Sequence, residues 1–559
     1  MKKYRYSILE LTRRLLVIAR PQRKLIFFAT MASIIGNLAH MGLMGFGSAL
    51  VLFCAGRYFR GSVLLWGGMT LLSAVLIGVM RFIEGVDSHA SAYNLLADMR
   101  VSLFHKLHKL APACLVDREK GDVLSVAVAD IDTIENFFAH TIGPMFTVIL
   151  LPLTALLYAG SVHWLFAAAL FPVYAVISIV LPLLAMKAGR NIGIAYRMRI
   201  GDMKSFVLES VYGLRDIQIF RLGNKRLGTV VQKGNDINNS AHALTAHRQI
   251  VSSLPTFFIY LSRILIVFIA GWLGSTGQVN VAKVIILSFV VAASFSSTQS
   301  LITVVTSLLE AYAAAARYFE IQDTVPAVME SDNAVPIETI ESIAMENVQF
   351  QYQKENEPVL EGTCLQVKKG EKIGIIGESG SGKSTILRLL LRFWDPDSGS
   401  IKVNGTDLKA VCLKDLRRHM AMLEQSTYLY NDTVKANIAV GKPEATLEEI
   451  ARAAKRAGIH NLIETLPNGY DTELGEHGNR LSGGEKQRIG IARIFLTEPD
   501  VIVMDEPTSS LDVFNEKKLL KTLEEGYQDQ TVILVSHRAS TLTGCDDLYR
   551  LHDGRLEKI

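Results

Sequence analysis

The sequence has few features of disulfide-linked, zinc-binding or nucleic-acid-binding proteins. Its five cysteines are scattered along 559 residues without a C-x-x-C pair, which argues against a disulfide framework and a zinc site. The 58 basic and 54 acidic residues leave a net charge of +4, too small to indicate a nucleic-acid partner. The chain has no internal repeat, and its N-terminus does not match a cleavable signal peptide.

Charged residues are also missing from long stretches of the N-terminal half. The chain is 49% hydrophobic with a mean hydropathy of +0.26, and residues 141–186 contain no Asp, Glu, Lys or Arg. Several apolar runs reach the ~20 residues that a helix needs to cross a bilayer. Six spans are predicted, at residues 25–53, 61–81, two within 141–186 with a turn near 160–163, 255–273 and 284–309. Any single run is compatible with a buried core helix, but six in series indicate a polytopic membrane domain.

The distribution of basic residues predicts the orientation of these spans. The segment before the first span is basic, and so are the two long connections at residues 82–140 and 187–249. Because Lys and Arg are enriched in cytoplasmic loops, both termini and both long connections are predicted to be cytoplasmic. The connections look helical, with interruptions near residues 117–122 and 210–215. Turns there are expected to lie furthest from the membrane, where a cytosolic motor can act on them.

A phosphate-binding loop marks a second, soluble domain. Residues 377–384 have the sequence GESGSGKS, after an apolar strand at 372–376 and before a helix that includes Thr385. This is the context that a G-x-x-x-x-G-K-S loop requires, because its backbone N–H groups converge on phosphates at a helix N-terminus. The candidate phosphate-binding residues are Gly377, Glu378, Ser379, Gly380, Ser381, Gly382, Lys383, Ser384 and Thr385. Lys383 is predicted to reach the β- and γ-phosphates, and Ser384 to help hold Mg²⁺.

Two further motifs complete a nucleotide site. The apolar strand at 501–504 ends in Asp505 and Glu506. Asp505 is predicted to hold Mg²⁺ through water, and Glu506 to orient or deprotonate the attacking water. Upstream, LSGGE at 481–485 opens a helix, which makes a second anion-binding N-terminus. Two such termini in one domain are consistent with the second one capping a nucleotide bound elsewhere.

These motifs together resemble the ATP-binding cassette (ABC) family. The resemblance rests on Phe350 and Tyr352, the phosphate loop, Gln425, the LSGGE motif, Asp505 with Glu506, Ser510-Leu511-Asp512 and His537, and with the six spans it covers essentially the whole chain. It implies a multi-domain protein: an all-α polytopic membrane domain with six transmembrane helices (type IV, exporter-type ABC fold) at 1–325, then an α/β P-loop NTPase cassette at 326–559. The implied activity is an ATPase coupled to transmembrane transport, with ATP and Mg²⁺.

The resemblance also implies roles for individual residues. Tyr352 is expected to stack on adenine, although an ordinary strand aromatic is the alternative. Gln425 is expected to sense Mg²⁺ and contact the membrane domain, His537 to contact the γ-phosphate, and Asp512 to lie in a loop that couples two sites. Ser482, Gly483 and Gly484 are expected to complete the site of an opposing subunit. Glu485 stands where the family most often has glutamine.

Within the family, the chain resembles the CydC-like branch of the CydDC half-transporters. The sequence RFIEGVDSH at 81–89 is similar to the pattern R-Y-F-E-x-x-x-S-H, and 121–124 and 129–133 also match. This resemblance implies a heterodimer with a second half-transporter in a bacterial cytoplasmic (inner) membrane, linked to haem and small thiols. Arg81 and His89 are therefore cargo candidates, His89 as a haem ligand or, equally, as a structural histidine.

Arg263 is a third cargo candidate on physical grounds. An arginine within a membrane span is costly unless it faces water or a partner. A cavity-facing Arg263 that attracts an anionic cargo such as haem, a siderophore or a peptide is favoured, with snorkelling to the interface as the alternative. Rival functions are a homodimeric multidrug or lipid exporter, a siderophore-type importer on the exporter fold, and a membrane-bound regulatory or assembly ATPase. The sequence leaves cargo and direction open.

Overall fold

The computed structural model describes two compact units. The residues it describes are 6–58, 60–116, 120–331, 333–352, 357–475, 478, 480–508, 516–517, 519–522 and 530–559. The first unit comprises Met1–His108 and Arg118–Thr324, and the second comprises Lys109–Asp117 and Val325–Ile559. All five cysteines are free thiols.

The first unit is helical. Its helices are α1 Ile8–Ile18, α2 Arg23–Cys54, α3 Val63–Leu110, α4 Lys120–Ser125, α5 Ile131–His140, α6 Ile142–Val162, α7 Trp164–Ala175, α8 Leu181–Tyr212, α9 Leu214–Ile219, α10 Gly223–Ser275 and α11 Val281–Gln322. Two π-helical segments, Val126–Asp130 and Val176–Val180, join α4 to α5 and α7 to α8. Helices α3 and α10 each run without a break from a predicted membrane span into the predicted cytosolic extension.

Five helical segments among the described residues are long and apolar enough to cross a membrane. They are Arg20–Cys54, Val63–Leu110, Gly121–Val162, Trp164–Ala185 and Gly223–Ser275. The sixth predicted span begins in α11, of which Val281–Ser296 is a shorter apolar stretch. The helical membrane domain predicted from the apolar runs is therefore confirmed.

The helix breaks follow local chemistry. The predicted turn between spans three and four lies at His163, whose backbone is extended (φ −166°, ψ 139°) and whose Nδ1 accepts a hydrogen bond from the Leu165 N–H at 3.3 Å. Gly213 separates α8 from α9, within the predicted interruption at 210–215. The other interruption begins earlier than predicted, because α3 ends at Leu110, before Pro112. Pro112 lacks the N–H that a continuing helix needs.

The end of the helical unit is held by a cluster around Arg14 and Asp323. Arg14 donates two hydrogen bonds of 2.6 Å to the Asp323 carboxylate, and the Tyr6 hydroxyl donates a third at 2.7 Å. The guanidinium carbon also lies 3.9 Å from the centre of the Phe319 ring. The hydrogen bond to Asp323 raises the pKa of Arg14 above its ordinary value. Helix α1 is thereby fixed to the last turn of α11.

The second unit contains two sheets and a set of short helices. Its strands are β1 Ser342–Phe350, β2 Leu360–Lys368, β3 Lys372–Ile376, β4 Ser398–Val403, β5 Thr406–Asp407, β6 Met420–Leu423, β7 Val501–Asp505, β8 Thr531–Ser536, β9 Asp547–His552 and β10 Arg555–Lys558. Its helices are α12 Lys383–Leu390, α13 Leu413–His419, α14 Val434–Ile438, α15 Leu447–Arg456, α16 His460–Thr465 and α17 Gly483–Thr497. The predicted α/β cassette is confirmed.

The order of the strands sets the position of the functional site. An antiparallel sheet has the order β2-β1-β4-β5, and a second sheet has the order β10-β9-β3-β8-β7-β6. In the second sheet β9, β3, β8, β7 and β6 run parallel, and β7 is buried at every residue. Strands of this kind appear in a sequence as continuous apolar runs, because helices cover both faces of a parallel sheet.

Candidate functional site: a nucleotide centre at the edge of the parallel sheet

Three neighbouring strands bring the predicted site residues together. The loop 377–382 follows β3, His537 follows β8, and Glu506 follows Asp505 at the end of β7, in the order β3-β8-β7. Because these strands are parallel, their carboxyl ends meet at one edge of the sheet, where ligands of open α/β sheets bind.

The phosphate loop needs its glycines. Gly380 and Gly382 have φ of +84° and +102°, which side-chain-bearing residues rarely adopt. A Cβ on Gly377 would lie 2.8 Å from the Leu551 carbonyl oxygen and from Ser381 Oγ. The loop is thus a closely packed backbone turn ahead of α12.

Polar groups in this loop fit an anion. Lys383 is buried, and its Nζ donates to the carbonyl oxygens of Gly377 at 2.8 Å and Glu378 at 2.6 Å. Burial lowers the pKa of Lys383, while Glu506 and Asp505 oppose that shift. Ser381 Oγ is buried and has no hydrogen-bond partner among the described residues. An unpartnered hydroxyl beside a buried ammonium is consistent with the phosphate binding that the loop sequence predicts.

Ser384 and Asp505 form the oxygen pair expected to hold Mg²⁺. Ser384 Oγ donates a 2.9 Å hydrogen bond to Asp505 Oδ1. Asp505 is 9% exposed, and burial raises its pKa above the ordinary value although Ser384 acts in the opposite direction. A hydroxyl and a carboxylate are ligands that Mg²⁺ accepts, so these residues fit the ion.

Glu506 is held between two side chains. Its Oε1 lies 3.1 Å from His537 Nδ1, and its Oε2 accepts a 3.4 Å hydrogen bond from Gln425 Nε2. Its backbone has a φ of +46°, rare for a residue with a side chain, and its N–H donates to the Val535 carbonyl oxygen at 3.0 Å. Strained conformations of this kind concentrate at functional sites. The structure therefore groups all three predicted catalytic residues.

Tyr352 lies beside α12 at the same end of the cassette. Its hydroxyl is 3.0 Å from Thr385 Oγ1 and accepts a 3.2 Å hydrogen bond from Arg388. The ring meets Phe350 and Trp394 edge to face, with centroids 5.0 and 5.4 Å away, and the residue is 36% exposed. One part of the ring is thus packed and another remains accessible.

The LSGGE motif opens α17 as the sequence predicts. Ser482 is its N-cap, with the Glu485 N–H donating to Ser482 Oγ at 3.4 Å. The Ser482 N–H donates in return to Glu485 Oε2 at 2.7 Å, which completes a capping box. Glu485 thus has a local structural role in this chain. Asp512, with Ser510 and Leu511, lies outside the described residues.

Sequence reasoning missed Gln487. This side chain is 1% exposed, and its Nε2 donates a 3.0 Å hydrogen bond to the carbonyl oxygen of Gln425. It connects α17 to the segment that carries Gln425, one of the two residues that contact the Glu506 carboxylate. Its position four residues after Gly483, on the same face of the helix, is the signal that was available in the sequence.

The three cargo candidates do not meet in one place in the described contacts of the helical unit. Arg81 bonds to Glu84 at 2.8 Å and to Asn37 at 3.0 Å, and His89 Nδ1 lies 3.0 Å from Glu135 Oε1. The exposed Arg263 has its guanidinium carbon 5.3 Å from the centre of the Tyr260 ring on its own helix. No cluster of three or more His, Cys, Asp or Glu suited to a metal occurs in the described part of the chain.

A multi-spanning helical domain joined to a P-loop cassette defines a membrane-bound nucleotide hydrolase. The ABC transporter model matches residues 360–509, and the ABC transporter transmembrane region matches residues 26–298. A Haemophilus influenzae protein assigned as an ABC transporter ATP-binding/permease protein is 36% identical, over 94% of this chain and 97% of its own length. The chain belongs to the ABC transporter family. It is a multi-pass membrane protein and an ATPase coupled to transport, it uses ATP and Mg²⁺, and it works as a dimer.

Two further similarities bear on fold and cargo. A Bacillus subtilis protein assigned to multidrug export as an ATP-binding/permease protein is 27% identical over 98% of this chain and 95% of its own length. A solved bacterial Atm1-family ABC exporter with ATP bound superposes with a TM-score of 0.84 at 24% identity, over 96% of this chain and 95% of that chain. The latter similarity supports the exporter-type fold. These relatives do not carry the CydC-like assignment, which stays a prediction.

Proposed function

We propose that this chain is one half of a dimeric ABC transporter that uses Glu506-dependent ATP hydrolysis to move a small molecule across the bacterial cytoplasmic membrane. The observation that carries the proposal is the contact of Glu506 with both Gln425 and His537, beside the Ser384–Asp505 pair and the phosphate loop. That arrangement supplies a carboxylate base, an ion site and a phosphate cradle at one sheet edge.

We assign the following roles at this edge. Lys383 and the loop N–H groups bind the β- and γ-phosphates, and Ser384, Gln425 and Asp505 hold Mg²⁺, which neutralises charge on the phosphate oxygens. Glu506 accepts a proton from water at one of its carboxylate oxygens, each of which has a lone pair left beside its contact with Gln425 or His537. His537 then donates toward the γ-phosphate, and Tyr352 covers the adenine.

A second cassette completes each site in this proposal. Ser482, Gly483 and Gly484 at the start of α17 are placed on the nucleotide of the opposing subunit, and Asp512 in the loop between the two sites. The capping box leaves the N–H groups of Gly483 and Gly484 in the first turn of α17, where a helix has free donors. This end of α17 is suited to the γ-phosphate of a facing subunit.

The domain boundary and membrane orientation are part of the proposal. Residues 1–325 are assigned to the membrane domain and 326–559 to the cassette, with both termini in the cytoplasm. The basic segment before α2 and the basic helical connections support this orientation. ATP binding brings the cassettes together, the turns after α3 and around Gly213 pass that movement to the membrane helices, and hydrolysis resets the cycle.

We favour a heterodimer with a second half-transporter and an anionic, haem-type or thiol-type cargo, because residues 81–89 resemble the CydC-like branch. His89 is the candidate haem ligand, although its Nδ1 already contacts Glu135. A homodimeric multidrug exporter is the second candidate, and the assignments of the relatives to multidrug export favour it. Purification of the chain expressed alone, and together with a neighbouring half-transporter gene, separates the two.

Transport itself is tested in proteoliposomes with the purified dimer. We expect ATP-dependent movement of a haem, thiol or lipophilic probe by the wild type and none by Glu506→Gln. An active ATPase that moves none of these probes favours the rival class, a regulatory or assembly ATPase. Transport that survives in Glu506→Gln contradicts the hydrolysis-driven cycle.

A further inference from the structure

The helical unit contains a cleft where α2, α3 and the junction of α5 and α6 meet. It is partly open to solvent, and its enclosed space has room for about one water-sized group. Its apolar wall includes Ile26, Ala29 and Phe138, and its polar side chains are Thr30, Glu84, Ser88 and Ser91. Because ligand pockets for drug-sized molecules run from ~300 to ~1,000 Å³, this cleft suits a head group better than a whole molecule.

The polar side chains of the cleft offer hydrogen-bond acceptors. Each of the three hydroxyls donates its proton to a carbonyl of its own helix: Thr30 to Ile26 at 2.7 Å, Ser88 to Gly85 at 3.3 Å and Ser91 to Ser88 at 2.8 Å. A hydroxyl whose proton is committed has only its lone pairs left for a ligand. Ala139 near the end of α5 and Ile142, Gly143 and Pro144 at the start of α6 also line the cleft, and none of them has a charged side chain.

Glu84 gives the cleft its negative charge. Its side chain is 22% exposed, and its Oε2 accepts a 2.8 Å hydrogen bond from Arg81, whose side chain is 52% exposed. Arg81 is also held by Asn37 at 3.0 Å on the neighbouring helix. The arginine charge is therefore largely solvated, whereas the carboxylate lines the cleft, and its Oε1 accepts no hydrogen bond from the described residues.

We propose that this cleft binds the protonated amine of an amphiphilic cargo, with Glu84 as its counter-ion and Arg81 as the internal competitor. The inference rests on the proposed transport function, but the Glu84 carboxylate in this cleft favours an amine over the anionic cargo inferred from residues 81–89. Glu84 lies about one helical turn beyond the predicted span 61–81. At that depth an amphiphile places its charged group near water and its chain in the bilayer.

Three probes with the same decyl chain test the charge preference: decylammonium, decyl sulfate and decanol. Saturable binding to the dimer in nanodiscs is measured against empty nanodiscs, in the absence of nucleotide. We expect decylammonium to bind and the other two to compete at least ~10-fold more weakly, as expected for a charge-assisted hydrogen bond. Equal competition by all three, or preference for decyl sulfate, overturns the proposal.

Two substitutions have opposite expected signs. Glu84→Gln keeps the shape of the side chain and is expected to weaken decylammonium binding ~10-fold or more. Arg81→Gln removes the competing guanidinium and is expected to strengthen decylammonium binding. At a site for anions, the same change would weaken ligand binding. Asp87→Asn, a carboxylate on the same helix outside the cleft, is the matched control and leaves affinity unchanged.

The outcome is separable from the proposed function. ATP turnover is measured on the same nanodisc preparations, so an active ATPase without decylammonium binding removes only the amine site. Should Glu84→Gln fail to yield a monodisperse dimer, Glu84→Asp and Arg81→Gln carry the test. Unchanged decylammonium affinity in Arg81→Gln contradicts the assignment. So does a loss of decylammonium affinity in Glu84→Asp as large as that expected when the carboxylate is removed.

Discussion

The central residues of the cassette are two carboxylates held by hydrogen-bonding neighbours. Asp505 is buried and bonded to Ser384, and Glu506 is shared by Gln425 and His537. Burial raises the pKa of Asp505, so the ionised form is disfavoured until a cation arrives. In the metal-free protein this carboxylate lowers stability at neutral pH, and the penalty is relieved as the pH falls through the raised pKa.

Mg²⁺ binding is therefore expected to compete with protonation of Asp505. As the pH falls through the raised pKa, the Mg²⁺ concentration needed for half-maximal ATP binding should rise by up to about tenfold per pH unit, because one proton has to leave. Asp505→Asn should need more Mg²⁺ at every pH and lose this pH dependence. The measurement is Mg²⁺ titration of nucleotide binding at several acidic pH values. The same pH dependence of the Mg²⁺ requirement in the wild type and in Asp505→Asn contradicts the role of Asp505 as an Mg²⁺ ligand.

Lys383 gives a second residue-scale prediction. Its Nζ is held by the Gly377 and Glu378 carbonyls, so its removal leaves two loop carbonyls without their ammonium partner. Lys383→Met should weaken ATP binding by at least ~10-fold, the effect of a lost charge-assisted contact. Lys372→Met, at the start of the same strand-loop-helix unit, is the control. The measurement is ATP affinity by fluorescence. Wild-type ATP affinity in Lys383→Met contradicts the proposed role of Lys383 in phosphate binding.

At the scale of elements, helix α17 links the LSGGE motif at its start to the segment of Gln425 through the side chain of Gln487. Its first turn presents Ser482 and its second turn carries Gln487, which donates to the Gln425 carbonyl oxygen. Motion of α17 on meeting an opposing cassette therefore acts on the segment that holds Gln425. Gln487 is a positioning residue in this account, because it acts through Gln425.

Gln487→Met should lower kcat for ATP hydrolysis ~2–30-fold, the range for mutations that alter coupling, with little change in KM for ATP. The methionine fills a similar volume and removes the hydrogen bond. Gln530→Met, a substitution in the same unit away from Gln425, is the control. A rise in KM with unchanged kcat indicates a purely structural or nucleotide-binding role and contradicts the prediction.

The elements were predictable where the pattern is continuous. The apolar runs before the phosphate loop and before Asp505 predicted β3 and β7, because buried parallel strands have no polar face. The end of α3 at Leu110 and the hydrogen bond of Gln487 were not predicted. The first depends on where a long helix stops, and the second on which side chain of α17 faces a loop distant in sequence. Hydrophobic periodicity signals neither of them, and the spacing from Gly483 indicates only the helix face of Gln487, not its partner.

At the scale of the whole molecule, the proposal is that one chain supplies half of each ATP site. Ser482 in this chain bonds to Glu485 of its own capping box, whereas the phosphate loop lies at the end of β3. Within the cassette the predicted phosphate-binding, Mg²⁺-binding and catalytic residues that the structure describes lie at one sheet edge, while their roles and the contribution of the second chain stay a proposal. Cargo was not predictable, because the surroundings of the Arg81–Glu84 pair, such as the contact of Arg81 with Asn37, depend on how α2 and α3 pack.

Ser482→Arg should reduce ATP turnover at least ~10-fold, since a bulky cation at the start of α17 removes the cap and obstructs a facing phosphate. The affinity of the same chain's phosphate loop for ATP should stay unchanged, because residues 377–384 are untouched. Asn468→Arg, on an exposed loop of the same unit, is the control. The measurements are photolabelling of each chain with an ATP analogue and the ATP turnover of the dimer. Full ATP turnover by Ser482→Arg contradicts the shared site.

The central claim is that Glu506 drives ATP hydrolysis in this transporter. The most direct test is the ATP turnover of the purified dimer, wild type against Glu506→Gln, with Glu444→Gln as the exposed-carboxylate control. The account predicts a loss of ~10²–10⁴-fold in Glu506→Gln, as for removal of a general base, with ATP binding retained. Turnover within tenfold of the wild type, with the control unaffected, contradicts it.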